Sequence, residues 1–427
     1  MPKSEREMEL EEDVVIVGAG IAGLAMAVAM KKVGIRALVL ERSEGLRATG
    51  AAIILLPNAW LALDVLGVAH KLTSIYASTQ KECITNIGDG AIQNVSYIGT
   101  DRRGAGPRPV HRKALLEALA EELPINTVRF SSKLTSIEAQ KQEGSSTAMI
   151  QIEDGTTIRA KVLIGCDGLH SVVASWLGLG APVNSGRSVV RGIAEFPQGH
   201  GLKQEFKQFV DVGKRAGFVP LTNIEVYWFF TIKSTPRGES KTQNPKLIQR
   251  EVMENFAKDF PPIYLDIVNH TNLSTLTWTP LLFRYPWDVI FGNICRGTIT
   301  VAGDAMHPMT PDLAQGGSAA LEDAVVLGRH IAESLIHNGR LVPGEVAGAM
   351  ERYVKERRWR VAGLIMGSYL SGWVQEGGST WWMKFFRDVI FYKLIYSRIV
   401  DVMHYDCGKL PNVSSSSSKL DNHSKVY

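Results

Sequence analysis

The stretch Val14-Val15-Ile16-Val17-Gly18-Ala19-Gly20-Ile21-Ala22-Gly23 decides the fold of this 427-residue chain. Four β-branched residues in a row predict a central strand of a parallel sheet, covered on both faces. The glycines follow at the spacing that tightens a strand-to-helix turn, lets backbone approach a pyrophosphate and seats the helix on the strand. A helix is expected from about Ile21 through Leu24-Ala25-Met26-Ala27-Val28-Ala29-Met30, stopped by Gly34, with its first amides aimed at phosphate. A second apolar strand, Ala37-Leu38-Val39-Leu40, ends at Glu41, beside Arg42. An acid roughly twenty residues past the glycines is placed to accept hydrogen bonds from ribose hydroxyls. Strand, helix, strand and acid in order make this a dinucleotide site.

Almost three hundred residues on, Gly297-Thr298-Ile299-Thr300-Val301-Ala302 leads into Gly303-Asp304-Ala305-Met306-His307-Pro308. A second glycine-aspartate turn after an apolar strand suits the ribityl chain and pyrophosphate of FAD, and NAD binding does not require it. Between the two lies Lys161-Val162-Leu163-Ile164-Gly165-Cys166-Asp167-Gly168, another apolar strand running into an acidic turn.

The text is α/β in character over 13–184 and again over 285–345, the two parts of a discontinuous nucleotide-binding domain. Between them, 185–284 reads as short β pieces (Arg187 to Phe196, Lys207 to Val212, Gly217 to Pro220, Glu225 to Ile232) with one helical piece, Pro245 to Asp259. This is the pattern of a β-sheet substrate domain inserted into a nucleotide fold. Helices are expected over 346–407, and a serine-rich disordered tail over 408–427. The net charge of +4 is small and scattered, which argues against a nucleic-acid partner. Cys83, Cys166, Cys295 and Cys407 stand alone, without metal spacing, as in a reduced intracellular protein. With no signal or transit pattern before Asp13, and Val361 to Val374 too short and glycine-rich to cross a bilayer, a cytoplasmic protein is expected.

Taken together, Gly18-x-Gly20-x-x-Gly23 with Glu41, Asp167-Gly168, and Gly303-Asp304-Ala305-x-His307-Pro308 followed by Gln315-Gly316 and Glu322-Asp323-Ala324 resemble the class A FAD-dependent aromatic hydroxylases. These are the para-hydroxybenzoate and salicylate hydroxylase family, and the details look most similar to its plant monooxygenase branch, related to zeaxanthin epoxidase. The resemblance runs from about Asp13 to Trp359. It implies a Rossmann-like FAD-binding domain of the GR2 type, non-covalent FAD, reduction by NADPH or NADH, and transfer of one oxygen atom of O2 to a small substrate through a flavin C4a-hydroperoxide. Reduction is then expected by transient docking of the nicotinamide, since no second nucleotide fold is present. Arg112 matches the family arginine that opens a helix and contacts the flavin nucleotide. Asp304 matches the ribityl aspartate, and an acid there can accept from hydroxyls. Pro308 and Pro311 form a rigid turn, and Gln315-Gly316-Gly317 begins a helix that points its N-terminus at the flavin ring, stabilising negative charge on it. His307 is read as structural rather than as an acid or base. Ala174 stands where the family has an arginine, which bears on nicotinamide docking; Ala314 and Ser318 replace other small residues.

The substrate wall is expected on the inserted strands, with Arg191, Phe218, Tyr227 and Phe229 as candidates beside Phe209, and with sheet core as their alternative role. Period-two alternation puts Tyr227 and Phe229 on one face. Arg191 pairs with a substrate carboxylate or caps a surface. Near 381–400, Trp381-Trp382-Met383-Lys384-Phe385-Phe386-Arg387 and its continuation form an aromatic, basic helix expected to dock on the protein, with peripheral membrane contact as the alternative. The resemblance implies an aromatic or isoprenoid-type substrate that is hydroxylated or epoxidised. A flavin-dependent reductase or dehydrogenase, and a flavin-binding protein without turnover, remain the other two classes.

Overall fold

In this computed structural model, residues 9–46, 52–97, 106–142, 145–234, 244–375 and 403–411 are described. The helix expected near 381–400 and the serine-rich tail lie outside them.

The β-branched run forms the strand Glu9–Val17, paired in parallel with Ala37–Leu40 on one side and Thr157–Gly165 on the other; Ile299–Val301 extends the sheet in parallel beyond Thr157–Gly165. The register brings the three motif strands to a common edge: Val17 is opposite Gly165, and Gly165 opposite Val301. Each glycine turn therefore leaves the sheet at the same carboxyl end, the edge where open α/β sheets bind ligands. The sheet has eight strands, Cys295–Arg296 and Val128–Arg129 at the ends of the main path, with the Leu134–Gln142/Ser145–Ile152 hairpin joined to Thr157–Gly165. The helix Ile21–Lys32 and the long helix Gly316–Asn338 are neighbours, and together with the strands they form one apolar core.

A second sheet has the order Thr277–Phe283, Val183–Glu195, Glu225–Lys233, Lys214–Pro220, Glu205–Asp211, Lys81–Asn86, Ile92–Ser96. The four expected β pieces are all strands of it. Its last two strands come from the interval read as nucleotide-binding, and Lys81–Asn86 joins Glu205–Asp211 in parallel. One face of this sheet is closed by an aromatic core. Phe209, Phe218, Trp228 and Phe230 pack there against Phe260 and Tyr264. The expected helical piece is an α-helix over Pro245–Glu251 that widens into a π-turn, and a second helix, Pro262–Asn269, follows it. The other face of the sheet turns toward the nucleotide edge. The chain then runs through Gly316–Asn338 into the 33-residue helix Pro343–Gln375. Among the described residues no helix is long and apolar enough to cross a membrane.

Candidate active site

The glycine turns are fixed by contact. Gly18 has φ +99°, and a Cβ on it would stand 2.5 Å from the Cys166 carbonyl oxygen. A Cβ on Gly23 would stand 1.8 Å from the Gly18 carbonyl oxygen, and one on Gly303 2.7 Å from the Ala22 Cβ. The three motifs thus touch one another through positions where only glycine fits. Gly20 differs: a Cβ there meets nothing within 4 Å. It opens onto a cavity of about 480 Å³ that lies between the nucleotide edge and the free face of the second sheet.

On the nucleotide side the cavity is lined by Gly20, Ile21, Ala22, Arg112, Gly168, Asp304, Pro311, Gly316 and Gly317. Asp304 is the one exposed residue between Val301 and Pro308, so its carboxylate stands in open space within an otherwise buried turn. Arg112 opens the helix Arg112–Ala120. Gly18, Gly23 and Gly303 shape the turns without lining the cavity. Glu41 is buried past the second strand, where it accepts from the Ala19 amide at 2.8 Å and the Ser43 amide at 2.9 Å; Arg42 beside it is exposed. Asp167 faces away from the cavity into its own turn, where it accepts from the Ser171 hydroxyl and from the Val172 amide at 2.7 Å. Burial raises its pKa. Ser171 in turn caps the short helix holding Ala174, which is buried in the core.

Parity decides the substrate side. Arg191 pairs with Phe229, Val219 with Tyr227 and Gln208 with Gly217, so these residues share the cavity face. Arg191, Tyr227 and Phe229 line the cavity. Phe218 does not. It pairs with Trp228 and, one residue out of step with Val219, points into the aromatic core on the far face, as does Phe209. Arg191 Nε donates to the Thr277 hydroxyl at 3.4 Å; burial raises the Tyr227 pKa, and the nearby Arg191 guanidinium opposes the rise.

Sequence reasoning missed a polar cluster on this face. Asp312, on the loop before Gly316–Asn338, is held by Arg187 at 2.6 and 3.0 Å and by Arg215 at 3.1 Å. Burial would raise the Asp312 pKa, but the two guanidiniums hold it below the usual carboxylate range. Arg215 Nε donates to Gln208 Oε1 at 2.7 Å, the Gln208 amide donates to Glu82, and the Tyr97 hydroxyl donates to the other Glu82 oxygen. The two arginines and two carboxylates cancel in charge. Among the described residues no carboxylate pairs with Arg191, so that the cavity wall carries one uncompensated cation.

A second cluster binds the motif turns behind the cavity. His307 is fully buried, its Nε2 2.6 Å from Asp323. Asp323 also accepts from the Gly303 amide at 2.9 Å and from Arg357 at 2.7 Å. Burial would raise the Asp323 pKa, but His307 and Arg357 bring it down to about 2. Glu322 takes Arg357 and Arg360, each at 2.6 Å, and Asn58 joins Glu322 to Gln315. Gln315 is thereby buried behind the cavity instead of lining it, and Ala314 before it adopts the left-handed conformation, φ +52°.

Three glycine turns on one sheet edge, facing a mostly antiparallel sheet across a shared cavity, define a flavin-nucleotide-binding oxidoreductase. A family model described as an FAD binding domain matches residues 11–368. The chain is 38% identical to Monooxygenase 2 of Arabidopsis thaliana over 95% of its own length and 99% of that protein's. It is 28% identical to the FAD-dependent urate hydroxylase of Mycolicibacterium vanbaalenii over 83% of its length and 86% of that protein's. Among solved structures, HpxO of Klebsiella pneumoniae complexed with FAD and uric acid has the same fold, with TM-score 0.77, 24% identity, and coverage of 92% of this chain and 96% of that one. The chain belongs to the class A FAD-dependent monooxygenases. These relatives do not show the expected kinship with zeaxanthin epoxidase.

Proposed function

We propose that this chain is a monooxygenase that takes electrons from NADPH or NADH and inserts oxygen into a small, electron-rich, anionic substrate, with an aromatic or isoprenoid-type skeleton. One observation carries the reading. A single cavity has nucleotide-binding turns on one side and, on the other, an apolar and aromatic sheet face with one uncompensated guanidinium, Arg191. The residues fit FAD: Gly20 leaves room that a Cβ would fill, and Asp304 is an exposed acid in a buried turn. Gly18, Gly20, Ile21, Ala22 and Gly23 take the pyrophosphate, Glu41 and Arg42 the adenosine ribose, and Arg112 and Asp304 the ribityl region. Asp167, Gly168 and Gly303 hold the turns in place. Pro311, Gln315, Gly316 and Gly317 aim helix amides at the ring. FAD bound there supplies hydride acceptance and oxygen activation.

The protein's own part is to orient and to exclude water. Arg191 with the Tyr227 hydroxyl anchors an anionic group, Phe229 supports the substrate ring, and the Arg187–Asp312–Arg215 cluster stiffens the wall. The urate hydroxylase relative and the uric acid held by HpxO support a small anionic or acidic ring compound. The test is NADPH or NADH oxidation over a panel of phenols, aromatic acids, purines and isoprenoid acids, with 18O2 incorporation into product. Stimulated oxidation with labelled product is expected, and Arg191→Gln is expected to raise KM for the anionic substrate. Oxidation that yields only peroxide, or substrate reduction without label, overturns the reading in favour of a reductase or dehydrogenase.

A further inference from the structure

The helix Pro343–Gln375 is two-sided over its last four turns. Its inner side is buried: Ser371 lines the cavity, Gly372 lies where a Cβ would stand 2.3 Å from the Arg187 guanidinium, and Gly367 faces Leu313. The outer side carries Trp359, Gly363, Met366, Leu370 and Trp373, all exposed and at helical spacing along one line of about 21 Å. From Val361 to Gln375 the sequence has no charged residue, so this water-facing stripe has no solvated flank. The helix Pro286–Phe291 lies beside it, joined where Arg358 donates to the Gly292 carbonyl at 3.2 Å. It adds three exposed rings: Phe291, 82% exposed, and the stacked pair Tyr285 and Trp287. One turn ahead of the stripe, on the same line, stand the exposed Arg352 and Lys355, with Glu351 next to them.

We propose that this face docks on the surface of an anionic phospholipid bilayer, setting the cavity one helix diameter from the lipid. Tryptophan, tyrosine and phenylalanine rings at headgroup depth, with cations at the edge of the patch, are what a bilayer interface takes. A protein partner would find a convex row with no hydrogen-bonding side chain between Gly363 and Trp373 on that line. The arrangement puts a substrate dissolved in or adsorbed to a membrane against the outer side of the wall whose inner side lines the site.

The experiment is flotation of the FAD-loaded protein with phosphatidylcholine vesicles, with and without phosphatidylserine, alongside light scattering of the protein alone. The wild type is expected to float with the anionic vesicles. The Trp359→Glu/Trp373→Glu variant is expected to bind them at least about tenfold more weakly while keeping its FAD and melting temperature. Phe291→Glu, which alters the most exposed ring, repeats the test if the double variant does not fold. No flotation of the wild type, or equal flotation of the variants, overturns the proposal. A wild-type dimer that either variant turns into a monomer also overturns it, assigning the face to a second copy of the chain.

Discussion

Gly20 and Gly23 belong to one motif, yet the geometry separates what each does. A Cβ on Gly23 would sit 1.8 Å from a backbone carbonyl oxygen, at least about 1.6 Å inside ordinary contact, so the helix Ile21–Lys32 must retreat from its strand. Overpacking of that kind costs about 3 kcal/mol or more, a large share of a typical net stability of about 5–15 kcal/mol. Gly20 meets nothing within 4 Å and faces the cavity. Gly20→Val therefore costs the fold only the loss of a tolerated N-cap residue, about 1 kcal/mol. Its side chain fills the room proposed for the pyrophosphate. FAD affinity is expected to fall by about two orders of magnitude, near 2.8 kcal/mol. The assay is urea unfolding of both flavin-stripped variants, followed by FAD titration monitored by flavin fluorescence. Gly23→Ala should lose stability, and Gly20→Val should lose FAD. Wild-type FAD affinity in Gly20→Val would refute the placement of the pyrophosphate, and wild-type stability in Gly23→Ala would refute the contact argument.

Asp312→Asn leaves Arg187 and Arg215 buried without a counter-charge and is expected to destabilise by about 3–5 kcal/mol in urea unfolding. Asp323 has its pKa brought from 3.8 down to about 2, so it favours the fold when ionised. That contribution, about 2 kcal/mol, is complete above about pH 5 and lost as the pH falls through about 2; the stability gap between wild type and Asp323→Asn is expected to narrow over that range in flavin-free protein. Ala314→Gly relieves a left-handed alanine, and a gain of about 1 kcal/mol, read as a higher melting temperature, is expected.

The nucleotide half of the fold was legible because its signals are local. Val14 to Gly23 holds the strand, the turn and the helix start within ten residues; Gly18 and Gly23 each answer a contact inside the motif or to the next one, and Gly20 keeps open space. The cavity face of the second sheet was legible only in part. Alternation placed Tyr227 and Phe229 together, but Phe218 needed the pairing register, since one residue of offset from Val219 sends it to the far face. Glu82 was invisible for a different reason. It reaches the cavity because Lys81–Asn86 pairs with a strand more than a hundred residues later, and no local pattern announces that pairing. A signal was present nonetheless. Glu82 shares its strand face with the buried Ile84, and an acid on the apolar face of a strand calls for a partner. Arg357 and Arg360 likewise read as surface charges on a helix until Glu322 and Asp323 are placed beneath them.

The two buried ion clusters meet on one short loop. Asp312 is gripped from the substrate sheet by Arg187 and Arg215, and Gln315, three residues on, is tied through Asn58 to Glu322, which is itself fixed by Arg357 and Arg360. Between them sits Ala314 in its left-handed turn, and immediately after them come Gly316 and Gly317 on the cavity. The loop proposed to aim helix amides at the flavin is thus clamped at one end by the second sheet and at the other by the nucleotide core. Freeing the first clamp moves the amides as well as the wall. A substitution at Arg215 is accordingly expected to alter FAD affinity together with substrate KM, whereas one at Arg191, which has no bond to the loop, is expected to alter KM alone. Measuring both constants in Arg215→Met and Arg191→Gln separates a wall that merely borders the cofactor from one that holds it, and equal FAD affinity in the two variants would count against the coupling.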